Sequence, residues 1–172
     1  MNCKACESTM TVRQATVGNQ YRYTLSGLSN VFLCGIEIRE CQPCNLQVPI
    51  IPRVPELHKV ISQALVSQID PLHGDQIRFL RKYLGIPARE FAVLLQITPE
   101  HLSRVERGHI KHLGRTSDAS VKNLVMKANG QEDTLETLRS IAKAKLRLKA
   151  SSNQPKPRRP VFKLVSNHWK AA

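Results

Sequence analysis

Two Cys-x-x-Cys pairs are the residues best equipped for chemistry: Cys3-Lys4-Ala5-Cys6 opens the chain and Cys41-Gln42-Pro43-Cys44 follows further on. The two-residue spacing lets both sulfurs of a pair reach one metal ion, and four thiolates suit tetrahedral zinc. Two such knuckles make a closed site with no coordination position left for a substrate. The expectation is therefore a structural Zn²⁺ on Cys3, Cys6, Cys41 and Cys44. A thioredoxin-like redox motif needs a strand-turn-helix context, which the first pair lacks. The fifth cysteine, Cys34, alternates with Phe32 and Ile36 and reads as a buried strand residue, not a fifth ligand or redox sensor. An odd number of cysteines, four of them paired in this way, points to metal ligation in a reducing compartment over a disulfide framework.

Enzymatic machinery is not evident elsewhere. The six histidines show no His-Glu-x-x-His spacing, and there is no Gly-x-Ser-x-Gly or phosphate-cradling glycine loop, so no enzyme is expected. With 26 Lys and Arg against 13 Asp and Glu, the 172 residues carry a formal charge of +13, which implies a polyanionic partner. Four thiolates and one Zn²⁺ together remove only a little of that charge. No apolar run approaches the roughly 18 residues that would span a bilayer, and the N-terminus lacks a basic-then-apolar signal layout. The expected location is the cytoplasm, with no membrane contact.

The elements that must position these groups follow from periodicity. Between the knuckles, Tyr21–Leu25 and Val31–Arg39 alternate with a period near two, which predicts a small antiparallel sheet. Prolines at 49, 52 and 55 mark an extended exit. Leu57, Val60, Ile61, Ala64 and Leu65 then line one face of a linker helix, with His58 beside that face read as a solvated residue. From Ile77 to Gly108, apolar residues recur at three- and four-residue intervals in three short runs: Ile77, Leu80 and Leu84; Phe91, Leu94 and Leu95; Leu102 and Val105. Three short helices fit. Thr98 is placed as the N-cap of the third, Pro99 at its first position, and Ile97 as a staple onto Leu102. Ser117 opens a further helix with Val121, Leu124, Val125 and Ala128 inward, and Glu132–Lys149 predicts another with a thin apolar stripe suited to a dimer contact or a packing strut.

This layout reads as a DNA-binding helix-turn-helix whose third helix would enter the major groove by its N-terminal residues. Pro99, Glu100, His101, Arg104 and Arg107 project opposite Leu102 and Val105 and are the candidates to meet bases or phosphates. Arg104 is the candidate for guanine, and Arg89, Lys111 and Lys122 are candidates for the phosphate backbone. The partner is expected to be double-stranded DNA, read by a homodimer. From Lys143 onward the chain has no acidic residue, and 150–172 reads as a basic, disordered tail that neutralises phosphate without reading sequence, Arg159 included.

Several of these stretches carry a resemblance. The paired Cys-x-x-Cys, Pro52-Arg53-Val54-Pro55-Glu56-Leu57-His58, Gln76-Ile77-Arg78-Phe79-Leu80-Arg81-Lys82 and Ser103-Arg104-Val105-Glu106-Arg107-Gly108 together resemble the MqsA-type antitoxins, with a YgiT-type zinc finger and a lambda-repressor-like, Xre-type helix-turn-helix. The resemblance covers roughly residues 1 to 129. It implies a buried Arg81–Glu106 pair tying two helices together, and a zinc module that neutralises a partner toxin while the helix-turn-helix represses the operon. Similar chains carry Trp or Tyr where this one has Val105, and a capping Ser or Thr and a phosphate-contacting Gln where it has Pro87 and Ala88. Arg89 would supply that phosphate contact here.

The fold expected is α+β. It comprises a YgiT-type zinc-bound β-ribbon module (1–52), a linker helix (53–69), an all-α helix-turn-helix domain (70–130), a C-terminal helix (131–149) and the basic tail (150–172). The ribbon is expected to depend on zinc for its folding, and the helical part to tolerate its loss. The function expected is a sequence-specific transcriptional regulator, most simply a repressor. The alternatives are an antitoxin acting chiefly through its zinc module, or an interaction adaptor with a degenerate helix-turn-helix.

Overall fold

Short alternating strands dominate the first fifty residues of the computed structural model, which describes residues 2–130 and 161–171. The chain is mixed α and β, with five α-helices and two sheets among the described residues. Strands β1 (Thr11–Gln14), β4 (Glu37–Cys41) and β5 (Leu46–Ile50) form one antiparallel sheet in the order β1-β4-β5. Pro49 lacks a backbone donor and lies on β5, an edge strand, where a proline costs no ladder bond.

The second sheet is ordered β2-β3-β6-β7 and draws on both ends of the chain. Strands β2 (Tyr21–Arg22) and β3 (Phe32–Cys34) are antiparallel, and β3 pairs in parallel with β6 (Val161–Val165), which turns back into β7 (His168–Ala171). Residues 161–171 are therefore a folded hairpin, correcting the expectation of a disordered tail across 150–172. Val161-Phe162-Lys163-Leu164-Val165 is a short β-branched and aromatic run with Phe162 buried and Lys163 exposed. Ser166 and Asn167 take the positive φ of a two-residue hairpin turn. The expected helix at 131–149, the tail residues 150–160 and Arg159 lie outside the described residues.

Five helices connect these sheets: α1 (Val54–Ser67), α2 (Gly74–Tyr83), α3 (Ala88–Leu94), α4 (Pro99–Glu106) and α5 (Arg115–Ala128). Helix α1 buries Leu57, Ile61, Leu65 and Val66, while Val60 and Ala64 are partly covered. Thr98 caps α4 by accepting the His101 N–H at 3.2 Å, with Pro99 in the first turn, as the sequence predicts. Gly74 opens α2 against α4, where a Cβ would stand 1.9 Å from the Val105 carbonyl oxygen, so no other residue fits.

Helix α3 differs from its predicted facing. Leu94 is 53% exposed and Val93 72% exposed, while Phe91, Ala92 and Leu95 are buried. Seven residues make barely two turns, and the small Ala92 takes the inward place that periodicity assigned to Leu94. Helix α5 starts at Arg115 behind Gly114, earlier than Ser117.

Among the described residues one hydrophobic core cluster runs from the sheets to the helices. It joins Tyr23, Leu28, Leu33, Ile36 and Ile38 of the sheets to Leu57, Ile61 and Leu65 of α1, then to Ile77, Leu80, Phe91, Leu102, Val105, Val121 and Val125, and takes in Phe162 and Trp169 of the hairpin. The buried residues of the sheets and of the helices thus belong to one contiguous cluster.

Candidate functional site

The four cysteines of the two knuckles converge. Cys3, Cys6, Cys41 and Cys44 offer sulfurs that all lie within 4.8 Å of one another, an arrangement that can hold a metal ion. Tight local turns present them. The Glu7 amide donates to the Cys3 carbonyl and the Cys3 amide to the Ser8 carbonyl, with Glu7 at φ 59 and Asn45, just after the second knuckle, at φ 54. A tetrahedron with metal–sulfur bonds of about 2.3 Å sets its sulfurs about 3.8 Å apart. The Cys3–Cys44, Cys41–Cys44 and Cys6–Cys41 separations of 3.7, 3.5 and 3.3 Å approach that spacing, while Cys6–Cys44, at 2.8 Å, would widen on ligation.

Hydrogen bonds within the cluster draw two of the thiols, Cys3 and Cys6, down and push the other two, Cys41 and Cys44, up. Hydrogen bonding from Cys44, then from Ser8, draws the Cys6 thiol down to about 6. The Ala5 amide donating to the Cys3 sulfur at 3.4 Å lowers Cys3 as well. Cys44 is pushed up because its proton is the one shared with Cys6. Cys34 is absent from the cluster. It is buried against the Phe162 carbonyl oxygen, with its thiol raised by burial, in keeping with a core cysteine.

The second group of candidates lies on α3, α4 and the loop beyond. Leu102 and Val105 are buried, and Pro99, Glu100, Arg104 and Arg107 stand on the exposed side of α4 or at its end, with His101 half-buried. Arg89 is exposed in the first turn of α3, and Lys111 is exposed in the loop after α4. Arg107 and Lys111 border one cleft of about 490 Å³, whose other wall includes Ser29 and Asn30 of the β2–β3 connection. Arg89 lies apart from that cleft.

Glu106 is not available as a contact. Its carboxylate accepts from Arg81 Nε at 2.7 Å and Nη2 at 3.0 Å, a bidentate pair that raises the Arg81 pKa and ties α2 to α4.

Lys122 is a correction. Only 6% exposed, its ammonium donates to the Gln68 and Asp70 carbonyl oxygens at 3.0 and 3.2 Å and lies 3.4 Å from Asp118 Oδ2, so it cannot reach a phosphate. His58 is likewise half-buried and not solvated. Its Nε2 is 3.0 Å from the Tyr23 hydroxyl, its ring meets Phe79 edge-on at 5.4 Å, and burial lowers its pKa. Neither burial could be read from one-dimensional spacing, because the Gln68 and Asp70 carbonyl oxygens and the Tyr23 and Phe79 rings come from distant segments.

Among the described residues, no helix is long and apolar enough to cross a membrane. Comparison with protein-family models, curated proteins and solved structures returned no match to this chain.

Proposed function

We propose that the protein is a sequence-specific DNA-binding transcriptional regulator, without catalytic activity, in which Zn²⁺ on Cys3, Cys6, Cys41 and Cys44 is structural. In this reading α3 and α4 are a helix-turn-helix, α4 enters the major groove, and two copies read paired half-sites from the cytoplasm. One observation carries it: a capped α4 presents Arg104 and Arg107 outward, opposite buried Leu102 and Val105, in a chain of net charge +13. Arg104 is the base reader, since a guanidinium fork can bond guanine O6 and N7 together. Arg107, Lys111 and Arg89 position the backbone, and Glu100 repels phosphate where contact is not wanted. Fluorescence anisotropy on the gene's own promoter and a scrambled duplex tests this. Tighter promoter binding that weakens steeply with salt is expected, and equal affinity for both duplexes would overturn it.

A second reading, neutralisation of a partner toxin by the metal module, has one observation in its favour. Leu46, Val48 and Ile50 of β5 share one exposed face with Val12 of β1 beside the cysteine cluster, more apolar surface than a solvated sheet needs. A toxin-like reading frame beside this gene, whose product co-purifies with the chain but not with its Val48→Asp variant, would favour that reading.

A further inference from the structure

The stretch Pro52-Arg53-Val54-Pro55-Glu56 has no part in either the metal cluster or α4. It is where the C-terminal hairpin lands. Trp169, only 3% exposed, donates its indole N–H to the Pro52 carbonyl oxygen at 3.0 Å. Arg53 donates to the Asn167 carbonyl oxygen, and its Nη1 stands 3.2 Å from His168 Nδ1, which is 3.1 Å from Glu56 Oε1. Arg53 takes φ 52, unusual for a side-chain-bearing residue, at the start of α1, and its Nε pairs with Glu56 at 2.8 Å.

The other half of the seat is the edge of β3. Phe32, Leu33 and Cys34 pair in parallel with Val161, Phe162 and Lys163, and Phe162 is 1% exposed. Gly35 follows at φ 80, where a Cβ would lie 2.8 Å from the Leu164 carbonyl oxygen. The glycine is what lets β6 approach. The hairpin itself is self-contained, its two strands joined by a two-residue turn, and roughly 30 residues separate it from Gly130. It attaches to the rest of the molecule as a ligand would, by strand addition with an aromatic anchor.

We propose that the β3 edge and the first turn of α1 form a docking site for the hairpin Val161–Ala171 as a separable segment, open to the hairpin of a second copy as well as to the chain's own. Every contact is the same in cis and in trans, so effective concentration decides between them. A link of some 30 residues gives the cis arrangement an effective concentration on the order of millimolar. Two copies held together narrow that advantage, and hairpin exchange then joins them without new surface. This inference stands whether or not the chain binds DNA.

The test uses the whole metal-loaded chain, with a specific protease sequence replacing Ser151–Gln154. After cleavage, the C-terminal fragment should remain bound through size exclusion and be displaced by excess dye-labelled peptide Val161–Ala172. Trp169 is the chain's single tryptophan, so the stripped chain is dark and peptide uptake reads directly as blue-shifted emission. Arg53→Ala should weaken uptake about tenfold through loss of its hydrogen bonds, and Gly35→Val should abolish it. The stripped chain mixed with uncut Gly35→Val, one offering a seat and the other a hairpin, should sediment as a 1:1 complex. A stripped chain that keeps its circular dichroism and metal yet takes up neither peptide nor the second chain overturns the proposal. So does a fragment released only on unfolding, which would make the hairpin an integral part of the fold.

Discussion

Asp75 Oδ2 accepts both the Ser29 amide at 3.3 Å and the Ser29 hydroxyl at 3.1 Å, so the β2–β3 connection is clamped onto the first turn of α2. Through this clamp and the continuous core, the module that carries the cysteines braces the helix that pairs with α4. Cys41→Ser with Cys44→Ser should release about one metal ion per chain. It should also lower the thermal midpoint of the helices along with that of the ribbon. Metal content by mass spectrometry and a helix-weighted circular dichroism melt measure the two. A ribbon that unfolds while the helical transition stays in place would show that the clamp transmits nothing.

How much of this was legible in the sequence depends on how local each signal was. The knuckles and the Thr98-Pro99 cap are set within four residues, and the residue types alone specify them. The hairpin is hidden in the sequence because the prolines and basic residues preceding it dominate any wide window, and Val161–Val165 is too short and too uniformly apolar to show a period of two. Lys122 shows the opposite limit. Asp118 stands one turn before it on α5, but nothing in its neighbours along the chain says that the Gln68 and Asp70 carbonyl oxygens reach it from the α1–α2 connection. The inward face of α3 failed for want of length.

Burial makes the Lys122 site costly to disturb. Asp118 Oδ1 also accepts the Leu72 amide at 2.8 Å, so the carboxylate is shared between a buried charge and a buried backbone donor. Lys122→Ala should destabilise the fold by about 3 to 5 kcal/mol, the range for breaking a buried ion pair. It should leave the salt dependence of any DNA binding unchanged. Urea unfolding and an anisotropy salt series measure the two effects, and a reduced salt slope in a folded variant would return Lys122 to the surface.

His58 predicts the acid side of the stability profile. Burial holds its pKa below the ordinary 6.5, so the folded chain prefers the neutral ring that meets Tyr23 and Phe79. An unfolded chain binds the proton first. Stability is therefore full above about 6.5 and falls as the pH drops from there toward the folded value. His58→Gln, which keeps a polar group facing the Tyr23 hydroxyl, should flatten the decline in urea midpoint between about pH 7.5 and 5. An unchanged slope would mean that another group sets it.

Trp169 separates the anchoring of the hairpin from its charge. Trp169→Ala removes the indole from under α1 and should cost about 3 to 5 kcal/mol if the hairpin stays folded against β3. Lys163 and Lys170, directly opposite each other on the two strands and both exposed, repel at close range. Lys170→Glu should therefore stabilise the hairpin by a few tenths of a kcal/mol, read as a raised urea midpoint. A lowered midpoint would mean that the pair faces an anionic group of the fold.

Arg104 and Lys111 should fail in different ways if α4 reads DNA. Arg104 lies on the helix face opposite Leu102 and Val105, whereas Lys111 sits in the loop beyond, beside Arg107 at the cleft shared with Ser29 and Asn30. A base contact contributes only on the right sequence, and a phosphate contact contributes on every sequence. Arg104→Ala should weaken promoter binding by about 1 to 3 kcal/mol while leaving a scrambled duplex nearly unaffected. Lys111→Ala should weaken both alike and reduce the salt slope by about one unit, because one fewer phosphate releases its condensed counterion. Anisotropy on the two duplexes across a salt series measures all four numbers. Loss of affinity by the same factor on both duplexes for Arg104→Ala would mean that α4 does not read sequence, and the assignment of α3 and α4 as the DNA-reading unit would fall with it.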